Sequence, residues 1–154
     1  MKVAIYCRVS TKEQNVKQQV KKCREYAKRQ GWDIVKVIKD EESGRKELLD
    51  RKEFKKLLDT LDKYDAVLVY NIDRLTRNWG DEAKLEEYFK EGCQLLSMSE
   101  PIDLQTASGR LMFRMKMAVS CYMPEDMREK QRIGIERAKK EGKYKGGVKG
   151  RSWA

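Results

Sequence analysis

The chain has 154 residues, 40% apolar and 39% charged, and its 35 Lys and Arg against 25 Asp and Glu give a net charge of +10. That length suits one domain with a real core. No apolar run is long enough to cross a bilayer, and the start Met1-Lys2-Val3-Ala4-Ile5-Tyr6 lacks the layout of a secretory leader, so a cytoplasmic protein is expected.

In chain order, Val3 to Cys7 reads as a first, buried strand. A helix is predicted from about Glu13 to Gln30, with Val16, Val20, Cys23 and Ala27 on one face and Gly31 as its stop. Trp32 to Ile38 alternates as a second strand, and Asp40 to Leu49 is a loop. Asp50-Arg51-Lys52-Glu53 resembles a capping box for a helix carrying Phe54, Leu57, Leu58 and Leu61. Asp65 introduces a third, almost wholly apolar strand, Ala66 to Tyr70. A helix from about Asp81 to Gly92 and a fourth strand, Cys93 to Met98, follow.

Beyond Pro101, Leu111, Met115, Ala118 and Tyr122 recur at helical spacing, and the pattern resumes through Ile133 and Ile135 to about Glu141. Pro124 lies between the two stretches. Proline removes an amide donor and crowds the carbonyl four residues back, at a cost of about 3 kcal/mol. A break is therefore predicted at Cys121 to Pro124, with Glu125 and Asp126 in the first turn of a new helix. Gly142 to Ala154 reads as a basic, flexible tail or linker.

Strands alternating with helices predict an α/β fold. The expectation is a parallel-rich central sheet of four to five strands with helices on both faces, followed by a C-terminal helical region used for oligomerisation. The organisation is read as a catalytic α/β part over residues 1–105, one or more oligomerisation helices over 106–141 and the tail over 142–154.

Charge and chemistry narrow the function. Residues 1–36 hold ten basic and three acidic groups (+7) and residues 137–154 seven and one (+6), leaving −3 for residues 37–136. Basic chain ends suit a polyanionic partner, although a lysine-rich solvated surface accounts for the charge equally well. Histidine is absent, and the four cysteines, Cys7, Cys23, Cys93 and Cys121, form no Cys-x-x-Cys pair. That argues against a zinc site and an imidazole base, and for free, mostly buried thiols.

In parallel sheets the working residues gather beyond the carboxyl ends of the strands. That rule brings together Arg8 and Ser10, Asp40 to Ser43, and Asp73, Arg74 and Arg77. A serine, several arginines and an aspartate point to phosphoryl transfer. Arginine offers a permanent charge and a planar fork of donors to a phosphodiester gaining negative charge. Serine attack would form a covalent intermediate that keeps the linkage available for rejoining. Two other readings stay open: a magnesium-dependent nuclease using Asp40, Glu42 and Asp73, and a non-catalytic DNA-binding or dimerisation module. Tyr6 reads as core packing, Ser43-Gly44 also fits a plain turn, and Met112, Met115 and Met117 read as an adaptable packing surface.

Tyr6-Cys7-Arg8-Val9-Ser10-Thr11 with Gln14 and Gln19 resembles the opening signature of the serine recombinases. Ser43-Gly44 with Arg51 resembles their second motif, and Asp73-Arg74-Leu75-Thr76-Arg77 their third. Gly109 opening an apolar helix, then Glu129 and Ala138 to Gly142, resembles the long helix that ends their catalytic domain. The resemblance implies Ser10 as nucleophile, with Arg8, Arg51, Arg74 and Arg77 holding the scissile phosphate. It implies Gln14, Gln19 and Ser43 as substrate-binding or supporting residues. Asp73 would orient the arginines or help protonate the leaving 3′ oxygen together with Arg74. It further implies double-stranded DNA as substrate, a homodimer assembling to a tetramer on it, and neither ATP nor a metal cofactor.

Two departures stand out. Met123-Pro124 replaces the usual Glu-Arg pair, and Lys130 replaces an arginine after Glu129. Within these 154 residues neither a helix-turn-helix module nor a cysteine-rich DNA-binding region follows, so site selection is expected from a further segment or a partner.

Overall fold

The computed structural model describes residues 1–8, 13–41, 46–76, 78 and 80–143, with the backbone alone at 13–15, 73, 74, 123–126, 128 and 129. Strand β1 (Lys2–Arg8) leads to helix α1 (Glu13–Arg29), then β2 (Asp33–Asp40). A single 3-10 turn, Leu48–Asp50, precedes α2 (Lys52–Leu58), and a second, Leu61–Lys63, precedes β3 (Ala66–Val69). Then come a short α3 (Ile72–Leu75), α4 (Asp81–Phe89), β4 (Gln94–Ser97) and the long α5 (Ala107–Lys140).

The four strands form one all-parallel sheet in the order β2-β1-β3-β4. Alternation along β1 divides the core, because successive side chains point to opposite faces. Val3, Ile5 and Cys7 pack with Val16, Cys23 and Ala27 of α1. Ala4 and Tyr6 pack with Phe54 and Leu57 of α2, Leu85 and Phe89 of α4, and Phe113 and Met117 of α5. Helices on both faces of a parallel sheet match the sequence reading.

Helix α1 ends where Gly31 allows it to. Gly31 adopts φ of +72°, its amide donates to Lys28 O (3.1 Å), and the Trp32 amide donates to Ala27 O (2.9 Å). This paired closure satisfies two terminal carbonyls and requires a left-handed residue, which glycine provides without steric cost.

Two expectations are corrected. The box at Asp50 to Glu53 does not form: Arg51 is the N-cap of α2 and makes no side-chain capping bond. Asp40, from the end of β2, caps α2 instead, accepting the amides of Glu53 (3.2 Å) and Phe54 (3.0 Å). A carboxylate from another element satisfies the same orphan donors and brings the same favourable charge to the helix start.

The break at Pro124 is also absent, since α5 is continuous from Ala107 to Lys140. The proline penalty is confined to one turn, whereas propagation adds a hydrogen bond per residue through strong helix formers such as Met127, Glu129, Gln131 and Ala138. The chain nonetheless resolves into two compact units, Met1–Cys121 and Tyr122–Ala154, divided three residues before this proline.

The structure also decides which face of α5 is buried, a point the sequence reading left open. Phe113 and Met117 enter the core, while Leu111 (59% exposed) and Met115 (57%) face outward in the first unit. In the second unit Tyr122, Met127 and Ile133 are exposed. The helix carries two apolar stripes, and the larger side chain at Phe113 occupies the core.

Candidate active site at the carboxyl edge of the sheet

The parallel register sets the ends of β1 and β2 side by side: Arg8, the last residue of β1, pairs with Asp40, the last of β2. Both side chains are buried. Helix α3 begins just after β3 at the same edge, so its backbone carries Asp73 and Arg74 there. The expected meeting of strand ends one, two and three is thus met for Arg8, Asp40 and the Asp73-Arg74 backbone. Ser10, Glu42, Ser43 and Arg77 lie outside the described residues, and Gln14 is placed on α1 by its backbone alone.

A buried polar network joins these elements. The Tyr6 hydroxyl donates to Asp40 Oδ2 (2.8 Å), and Arg51 Nη1 donates to the Tyr6 oxygen (3.4 Å). Arg51 Nη1 also donates to the Leu75 carbonyl at the end of α3, and Nη2 to the Lys46 carbonyl (3.1 Å). The Arg51 side chain is fully buried, 0% exposed. One guanidinium therefore ties β1, α3 and the segment before α2 together, a use that suits its rigid fork of donors. Burial pushes the Tyr6 phenol well above its ordinary pKa, against the opposing pull of Arg51, so it stays a neutral donor. Its ring also meets Phe54 edge to face at 5.1 Å.

The ends of α3 are fixed by further polar contacts. The Ile72 amide donates to Glu100 Oε2 (3.4 Å), which also accepts from the Ser97 hydroxyl, while Glu100 Oε1 pairs with Lys116 Nζ (3.3 Å). Beyond α3, the buried Thr76 hydroxyl donates to Asp81 Oδ2 (2.6 Å) and accepts the Asn78 amide (3.0 Å). Burial, partly offset by the Thr76 bond, raises the Asp81 carboxyl above its usual range. On α1, Gln19 is buried on the core side, and its Oε1 has no hydrogen-bond partner among the described residues.

The nuclease reading does not fit this geometry. Both oxygens of Asp40 are engaged, by the amides of α2 and by Tyr6, so its carboxylate is a structural cap rather than an open metal ligand. Tyr6 is packed as expected, but its hydroxyl also links Asp40 to Arg51. The roles of Glu100 and of the Thr76–Asp81 pair were not foreseen. Asp81 signals itself only as an acidic residue opening a helix, and nothing local in the sequence shows which partner it finds.

The family described as "Resolvase, N terminal domain" matches residues 3–144. The Transposon Tn917 resolvase of Enterococcus faecalis is 29% identical over 143 residues, covering 92% of this chain and 73% of the relative. The DNA-invertase of Escherichia phage P1 is 32% identical over 142 residues, covering 92% and 72%. Among solved structures, the N-terminal catalytic domain of TP901-1 integrase superposes with a TM-score of 0.58 at 29% identity, covering 84% of this chain and 98% of that one. The catalytic domain of ISC1926 TnpA, an IS607-like serine recombinase, also gives 0.58 at 30% identity, covering 75% and 78%. The fold is thus shared with solved serine recombinase catalytic domains, and the family match spans nearly all of the chain. This chain belongs to the resolvase family of serine recombinases.

Proposed function

We propose that this chain cleaves and rejoins double-stranded DNA through a covalent 5′-phosphoserine intermediate at Ser10. The Ser10 oxygen attacks phosphorus and loses its proton, the bond from phosphorus to the 3′ oxygen breaks, and that oxygen leaves as a hydroxyl. The reverse attack by a 3′ hydroxyl releases Ser10 and restores the phosphodiester, so no outside energy source is needed. Arg8, Arg74 and Arg77 hold the non-bridging oxygens as charge builds, the kind of electrostatic stabilisation that dominates this chemistry. Asp73 orients these arginines and, with Arg74, serves the leaving 3′ oxygen. Gln14, Gln19 and Ser43 support the site.

The observation carrying this reading is the convergence of Arg8 and the Asp73-Arg74 backbone on one sheet edge braced by Arg51. Arg51, fully buried, acts as the brace and adds its charge to the field at the phosphate. Self-association to a dimer, and to a tetramer on DNA, is supported by the outward apolar row Leu111, Met115 and Val119, each more than half exposed.

The test is capture of an SDS-resistant protein–DNA adduct from a supercoiled plasmid library of genomic fragments, with a chelator present. Adduct formation that survives the chelator and is lost in Ser10→Ala supports the mechanism. Undiminished capture by Ser10→Ala sinks the nucleophile assignment, and cleavage abolished by the chelator restores a metal-dependent nuclease. Stable DNA binding with no adduct under any condition favours a non-catalytic module.

A further inference from the structure

The outward face of α1 carries a continuous line of cations. Lys17, Lys21, Arg24 and Lys28 follow one another at intervals of four, three and four residues, so they form a single line along the helix. All four are exposed, and among the described residues none makes an ion pair. Several helical cations elsewhere in this unit are paired, Lys56 with Glu53, Lys84 with Glu47, Arg114 with Glu86 and Lys116 with Glu100.

Like charges at these spacings weaken a helix by about 0.2–0.5 kcal/mol per pair. The helix dipole favours cations in the last turn and so accounts for Lys28 and Arg29. It does not account for Lys17, Lys21 or Arg24. The line starts near the working edge of the sheet, because α1 leaves the carboxyl end of β1 and runs back antiparallel to it. From Lys17 to Lys28 it extends about 16 Å along the helix axis. A single DNA strand passes roughly five phosphates over that distance along the duplex axis.

We propose that this stripe is a second DNA-contacting surface, which holds the phosphate backbone of the duplex alongside the site without reading its sequence. The inference rests on the recombinase reading for the identity of the polyanion, and phosphates would offset the repulsion among the four cations, which Glu25 on the same line offsets only in part. Phosphate contacts of this kind fix position and affinity rather than specificity. Arg8, at the strand end, then engages the phosphate under attack, and the stripe engages the duplex beside it.

The experiment measures binding of the full chain to a fluorescent random-sequence duplex by anisotropy across a salt series. Two variants of equal charge change are compared with the parent. One carries Lys17→Gln, Lys21→Gln, Arg24→Gln and Lys28→Gln; the other carries Lys52→Gln, Lys55→Gln, Lys56→Gln and Lys63→Gln on the opposite face. Each phosphate contact contributes about 0.9 to the slope of log K against log salt. The stripe variant is expected to lower that slope by about 3.6, and the control variant to change it little. Equal loss in both variants would show that only net charge matters and overturn the proposal, as would an unchanged slope in the stripe variant. Loss of self-association with an unchanged DNA slope would assign the stripe to an acidic protein surface instead. A parent protein that binds no duplex at all would overturn the recombinase reading itself, a result distinct from any of these.

Discussion

The two faces of the sheet are covered in different ways. On one, among the described residues, α1 packs Val16, Cys23 and Ala27 onto Val3, Ile5 and Cys7, and turns a cationic surface outward. On the other, α2, α4 and the first turns of α5 share a core built on larger side chains, Phe54, Phe89 and Phe113, and α5 turns an apolar row outward. A small-residue face under a charged helix needs no protein partner and suits contact with a polyanion. An apolar row left in water carries a cost that a second protein surface removes. What each face leaves exposed thus suits a different kind of neighbour.

The largest expected effect tests which stripe of α5 is core. Phe113→Ala should cost about 3–5 kcal/mol in urea unfolding, because it empties a buried aromatic site. Leu111→Ala, on the outward row, should stay within about 0.5 kcal/mol in the monomer. A reversal of these two values would overturn the face assignment. The same Leu111 change should weaken self-association in sedimentation if the row is an interface.

Asp40→Ala comes next. It removes the cap of α2 and the acceptor of the buried Tyr6 hydroxyl, and lost caps and orphaned buried donors together cost about 2–4 kcal/mol. If Asp40 were instead an open acidic ligand, removing it would leave stability nearly unchanged or improve it, and the denaturant midpoint distinguishes the two.

Gly109→Ala should cost about 1–3 kcal/mol, the usual range for forcing extra volume into a packed site. A Cβ at Gly109 would lie 1.7 Å from the Asp103 carbonyl oxygen, so backbone must move at the start of α5. An unchanged melting temperature in the alanine variant would mean that this close approach does not exist in solution.

The smallest effect is chemical. Hydrogen bonding to Cys23 together with burial keeps the Cys7 thiol protonated, and burial, aided by the nearby Asp65 charge, pushes Cys93 up to about 11. A raised thiol pKa leaves little thiolate at about pH 8, and the thiolate is the reactive form. The bond to Cys7 lowers the Cys23 pKa, but Cys23 is fully buried, so half-buried Cys121 should be alkylated first in the native protein, with all four thiols reacting alike in denaturant. Early labelling of Cys7, read by peptide mass spectrometry, would show that the face under α1 opens readily.

Much of this was legible in the chain. Two signals of different period defined the sheet domain: alternating or wholly apolar runs for the strands, and the line Val16, Val20, Cys23 and Ala27 for α1. They carried far because α1 is charged on every face but one, which leaves a single way to bury it. The convergence of Arg8 with Asp73-Arg74 followed from the parallel topology, since strand ends are neighbours in any such sheet.

Tertiary structure decided what depends on distant partners. A carboxylate at Asp40 caps a helix that starts twelve residues later, and only the pairing of β2 beside β1 brings the two together. Helix α5 has two apolar stripes, so periodicity alone could not choose between Phe113 and Leu111, and the space above the sheet made the choice. Pro124 penalises one turn, a local term that the helix on both sides outweighs. Residue type and spacing therefore set the elements and the chemistry at the strand ends. Which polar groups satisfy one another was set by contacts far apart in the chain, because a buried donor or acceptor takes whichever partner the packed fold puts within reach.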